Sequence, residues 1–121
     1  MSRTIGIVAA IALAFVAGVA FAQAPKKAYL LVQADITNPQ QYQEYAKLSP
    51  GIIAKYGGRY LARAGRTVTL EGAPAKSRVV VIEFPSVERA QEFYNSAEYV
   101  AARKVRAGAA TAQFVVVEGL E

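Results

Sequence analysis

Arg78-Val79-Val80-Val81-Ile82-Glu83-Phe84, followed by Pro85-Ser86, decides how this chain folds. Four consecutive β-branched residues favour an extended strand. Pro85-Ser86 then opens a helix. Ser86 can cap it, and Glu88 puts a carboxylate in the first turn, where the helix dipole favours negative charge. Ala90, Phe93, Tyr94 and Ala97 form its apolar stripe. Asn95-Ser96 breaks the pattern, and Ser96 caps a further helical piece that runs to about Ala107 and stops at Gly108. Ala112 to Glu118 is the last strand, with Phe114-Val115-Val116-Val117 too apolar for an exposed edge.

Upstream, Arg59 to Glu71 reads as one long strand, with Gly65 expected to mark a bulge or bend. Within it Arg59 and Arg63 share one face. Gly72 to Ser77 is a turn. Ala28 to Ile36 is a strand whose even positions, Leu30, Val32, Ala34 and Ile36, are all apolar, so one face is buried. Asn38 caps the next helix, and Pro39 suits its first position. Pro50 removes the donor to the carbonyl of Ala46 and is expected to bend or restart this helix near Ser49. Gly57-Gly58 ends it. The order β-α-β-β-α-β predicts an α+β, ferredoxin-like sandwich: a four-stranded antiparallel sheet with helices on one face. Gln43-Glu44-Tyr45 after Pro39 and Gln91-Glu92-Phe93 after Pro85 echo each other weakly, as two split β-α-β halves would.

The N-terminus lies outside this pattern. Arg3, the apolar stretch Ile5 to Ala20 and the small residues of Ala20-Phe21-Ala22 have the layout of a secretory signal peptide. Cleavage after Ala22 is expected, which assigns 1–22 to the signal, 23–27 to a mobile lead-in and 28–119 to one domain. The alternative is an uncleaved anchor, but the stretch is rich in Ala and Gly rather than Leu. The mature chain is therefore expected to be exported, periplasmic or secreted, with no stable membrane anchor.

The 121 residues are 54% apolar and 19% charged, which excludes a disordered composition. Fourteen basic against nine acidic residues give +5, and loss of Arg3 with the signal lowers this to +4. Basic runs are no longer than Lys26-Lys27, so nucleic acid is not an expected partner. The chain has no Cys and no His. That removes disulfides, thiolate nucleophiles, imidazole bases and histidine-ligated haem. The acids are scattered, so no metal is expected, and no cofactor either.

Glu83 lies in the most apolar strand, where a carboxylate needs a partner. Arg59 or Arg63 on the neighbouring strand could supply it. Such a pair is either a structural salt bridge or the wall of a pocket with Glu83 as general base. Tyr99, Arg103 and Arg106 follow each other at i, i+4 and i+7, one helix face that could bind a carboxylate or phosphate; alternatively the arginines pair with surface acids. The other tyrosines are most simply packing residues. Strands apolar on both parities leave a bare sheet face that needs cover, and a second copy of the chain is the simplest cover.

The motifs Gly57-Gly58-Arg59-Tyr60-Leu61-Ala62-Arg63, Glu71-Gly72, Val81-Ile82-Glu83-Phe84-Pro85-Ser86 and Tyr94-Asn95-Ser96-Ala97-Glu98-Tyr99, with Arg103, Arg106 and Val117-Glu118-Gly119, resemble the family of domain of unknown function 1330. The resemblance spans nearly all of Ala28 to Gly119. It implies a ferredoxin-like subunit pairing into a dimeric α+β barrel, in a superfamily whose distant members include small monooxygenases, isomerases and haem-binding proteins. Fold alone transfers no chemistry. Three functions remain open on these residues. One is an exported homodimer binding a small anionic or aromatic molecule. The others are a cofactor-independent isomerase or monooxygenase, and a structural or protein-interaction module.

Overall fold

β1 (Ala28–Ile36) is the central strand, flanked by β3 (Arg78–Phe84) on one side and β4 (Ala110–Glu118) on the other; β2 (Arg59–Arg63) adds outside β3. All three pairings are antiparallel, in the order β2-β3-β1-β4. Three helices complete the chain: α1 (Pro39–Lys55), α2 (Val87–Asn95) and α3 (Ala97–Val105). The computed structural model describes residues 25–121. The expected signal segment, its cleavage point and the start of the lead-in lie outside the described residues. Among the described residues, no helix is long and apolar enough to cross a membrane.

The alternation in β1 sorts the sheet into two faces. Ala28, Leu30, Val32 and Ala34 are buried under the helices. Their cross-strand partners Phe84, Ile82 and Val80 on β3 are buried with them, and Val116 and Phe114 on β4 pack against the same core. Phe93 and Tyr99 close the core from the helix layer. The helix starts follow the capping residues: the side chains of Asn38, Ser86 and Ser96 accept the backbone N–H of Gln41, Arg89 and Tyr99. Lys27, within the expected lead-in, is tied to the other end of the chain. Its N–H donates to the carbonyl of Glu121 at 3.2 Å, and its carbonyl accepts from Gly119 at 2.8 Å.

Three expectations need correction. β2 ends at Arg63 rather than continuing to Glu71, and residues 64 to 77 form an exposed connection. The register shift in β2 falls between Tyr60 and Ala62, not at Gly65. The reason is the pairing itself: Arg59 stands opposite Glu83, but Ala62 stands opposite Val81, so Leu61 is the extra residue. Finally, α1 runs unbroken through Pro50. The carbonyl of Ala46, which loses its helical donor to the proline ring, accepts a long hydrogen bond of 3.5 Å from Arg63 Nη2.

The turn from α1 into β2 leaves no room for larger residues. Gly57 has φ +81°, and Gly58 donates its N–H to the carbonyl of Ile53 at 2.9 Å. A Cβ on Gly58 would stand 2.5 Å from Ile53 Cγ2 and 2.9 Å from Phe84 Cε1. Gly58→Ala is therefore expected to destabilise the fold by about 1–3 kcal/mol, the usual cost of overpacking a filled site. Chemical denaturation should show an earlier midpoint; an unchanged midpoint would mean that Phe84 and Ile53 yield freely.

Candidate ligand-binding cleft

Glu83 is the one buried acid of the sheet, and it points away from the helices. Position 83 has the parity of Val79 and Val81, and its cross-strand neighbours are Tyr29 and Arg59. Both carboxylate oxygens are occupied. Oε2 accepts Arg59 Nε at 3.0 Å and Nη2 at 2.5 Å, and Oε1 takes Lys27 Nζ at 3.0 Å. The hydrogen bonds from Arg59 first, and from Lys27 next, hold this carboxyl below the usual glutamate range despite its burial. A carboxylate so held is a poor proton acceptor, which weighs against Glu83 as general base.

Arg63 does not join this cluster. The extra residue in β2 turns it to the opposite face, where it pairs with Val80 in register and stacks at 4.7 Å on the ring of Tyr60. The shared face expected of Arg59 and Arg63 assumed an uninterrupted strand, and the bulge removes it.

Tyr99, Arg103 and Arg106 are drawn together, but not as a surface stripe. Tyr99 is fully buried, and its hydroxyl meets that of Tyr45 at 2.5 Å. Burial, and then the neighbouring Tyr99, push the Tyr45 phenol well above its ordinary range; burial pushes Tyr99 up as well. Both are neutral phenols at physiological pH. Arg106 lies just past α3 as its C-cap, with its guanidinium 5.1 Å from the ring centroids of Tyr45 and Phe114. Arg103 stacks at 4.0 Å on Tyr94. Neither arginine forms an ion pair among the described residues, and the Nε of each is buried without a hydrogen-bond partner.

Arg106 also reaches an open cleft of about 430 Å³ between α2 and β4. Tyr94 and Phe114 supply aromatic walls, and Leu30 and Val116 the apolar floor. Gln91 and Asn95 add amides along α2. Small-molecule sites combine such apolar walls with a few convergent polar groups, and the volume is within their range. The amides of Gln91 and Asn95 are contributors that the sequence reading passed over; the signal available was their i, i+4 spacing on the helix that carries Tyr94. Among the described residues, no group of three His, Cys, Asp or Glu side chains is placed to hold a metal ion.

The pairing of Glu83 has a pH consequence. A carboxyl whose folded-state pKa is lowered contributes stability above its unfolded value, near the ordinary 4.5, and loses it as pH falls through the folded value. Glu83→Gln is expected to lower Tm at neutral pH, with the gap to the unmodified protein closing as the pH falls below that value. Thermal melts across this range check it; a gap that stays constant would show that the charge of Glu83 contributes nothing.

The fold and the family agree. A protein of unknown function from Rhodopseudomonas palustris superimposes with a TM-score of 0.64 at 20% identity, covering 79% of this chain and 84% of its own. SnoaB, a cofactor-independent oxygenase from Streptomyces nogalater, gives 0.57 at 8% identity over 79% and 95%. A hypothetical Arabidopsis thaliana protein gives 0.57 at 13% identity over 81% and 92%. At these identities the likeness is one of fold alone. No curated protein sequence matches the chain. Residues 27–120, from the lysine that holds Glu83 to the end of the last strand and just beyond, match the model of the domain of unknown function DUF1330, and the chain belongs to that family.

Proposed function

We propose that the protein is an exported homodimer that binds a small anionic aromatic molecule in the cleft beneath Arg106. The observation that carries this reading is a guanidinium with no acid partner among the described residues, lying against aromatic rings at the edge of a cleft of ligand size. The guanidinium of Arg106 and the amides of Gln91 and Asn95 would orient a carboxylate, and Tyr94 and Phe114 would hold a flat body. The side chains lining this cleft include no carboxylate, so they support binding better than a proton-transfer reaction. A cofactor-independent oxygenase, which is what SnoaB is, would be a second use of the same fold, but the cleft offers it no base.

The homodimer is supported by the face that Glu83 shares. Leu31, Val115 and Val117 are 41%, 43% and 47% exposed there, beside Tyr29, Val79 and Val81. A sheet of this kind, covered by helices on one side only, leaves an apolar surface larger than isolated exposed residues would. A second copy, apposed through the same face about a two-fold axis, would cover both at once. Export rests on the N-terminal sequence alone.

Two measurements test this reading. Titration with salicylate should give saturable binding that Arg106→Gln weakens about 10–100-fold, the cost of losing a charged hydrogen bond of about 1.5–3 kcal/mol. Light scattering should give twice the chain mass, and Leu31→Glu, which puts a charge on the apolar face, should halve it. A monomer at micromolar concentration, or salicylate binding indifferent to Arg106, would overturn the corresponding half of the proposal.

A further inference from the structure

The extra residue in β2 does more than separate Arg63 from Glu83. It aims Arg63 across the helix side of the sheet, where Arg78 already stands. Arg63 is opposite Val80, and Arg78 lies two residues along the same strand with the same parity as Val80. Diagonal neighbours of this kind are within reach for side chains as long as arginine. Both line an open groove of about 380 Å³ between the first half of α1 and the β2–β3 edge, floored by Tyr42 and Ile36. The guanidinium of Arg78 lies 5.5 Å over the ring of Tyr42, and its Nε is buried without a partner.

Two further features converge there. Ala64, which follows Arg63 and lines the groove, has φ +55°, a strained conformation for a residue with a Cβ; its N–H is held by the carbonyl of Val79 at 2.9 Å. Bulges and such residues are devices that re-aim a side chain. The acids on the flanking elements are engaged elsewhere: Asp35 with Lys76 Nζ at 3.3 Å and the backbone of Ser77, and Glu44 with Lys47 at 3.2 Å. Among the described residues, no carboxylate lines the groove. Pro39, the first residue of α1, also lines it, so the positive end of that helix borders the same space.

We propose that this groove is a second ligand site, separate from the cleft beneath Arg106, for a small molecule bearing a phosphate monoester. Two guanidinium forks match a doubly charged, three-oxygen group better than they match a single carboxylate. The ester side would rest on Tyr42 and Ile36. Arg63 keeps most of its donors for this purpose, since its only protein hydrogen bond among the described residues is the long one to Ala46.

Phenyl phosphate is the probe. Amide NMR titration should show saturable shifts at Gln43 and Ala64, with Arg63→Gln and Arg78→Gln each weakening that binding at least about tenfold. Binding should strengthen from about pH 5 to about pH 7.5, as the phosphate takes its second charge near pH 6. Benzoate, with one charge, should bind the groove at least about tenfold more weakly. Arg63 is exposed, so its variant keeps the test intact if the Arg78 variant fails to fold. Absence of saturable shifts at Gln43 and Ala64, equal affinity for benzoate, or an affinity indifferent to Arg63→Gln would overturn the assignment.

Discussion

β1 is hydrogen-bonded on both edges, to β3 and to β4, and everything else in the domain is arranged around that fact. A strand with no free edge cannot choose its environment residue by residue; it can only present alternate side chains to two faces. Leu30, Val32 and Ala34 go under the helices and Leu31 does not. A one-residue slip would exchange the two sets and put Tyr29, Gln33 and Asp35 into the core. The fully buried Phe84, Phe93 and Tyr99 are therefore consequences of the register of β1. Truncating a ring of this kind to alanine costs about 3–5 kcal/mol, a large share of the stability of a domain this size.

That much was legible in the residues, because period-2 alternation, cap residues and glycine stops are local signals. Asn38, Ser86 and Ser96 do cap, and Gly57 and Gly108 do take positive φ. The bulge in β2 was not legible. Nothing in Tyr60-Leu61-Ala62 differs from an ordinary alternating strand. The extra residue follows from two demands that lie apart in sequence: Arg59 must reach Glu83, and Ala64 must reach the carbonyl of Val79. Gly65 drew the expectation because glycine is the local mark of a bulge, whereas here the cause is tertiary.

The tyrosines show the same limit from the other direction. Their number suggests packing, and packing is what most of them do. The contact between the Tyr45 and Tyr99 hydroxyls joins α1 to α3, across a separation that no spacing rule connects. Each phenol satisfies the other in a place where an unpaired hydroxyl would be costly. Arg78 illustrates a signal that was present but unread. An arginine on the inward parity of an otherwise apolar strand requires a partner or a cavity, as Glu83 does on the outward parity, and here it has Tyr42 and an open groove.

Two sets of charged residues differ in chemistry, with Arg89, paired to Glu92 and 5.3 Å over the ring of Tyr56, belonging to both. Lys27, Lys47, Lys55, Lys76, Arg59 and Arg89 meet Glu83, Glu44, Glu98, Asp35 and Glu92 in ion pairs. Arg63, Arg78, Arg103 and Arg106 form none among the described residues and lie over aromatic rings instead. An ion pair consumes the in-plane donors of a guanidinium, whereas stacking uses only its face. Those arginines are thus held in place by rings rather than by carboxylates. With no histidine and no cysteine in the chain, a planar cation set on tyrosine or phenylalanine is the chemistry that Arg63, Arg78, Arg103 and Arg106 have in common.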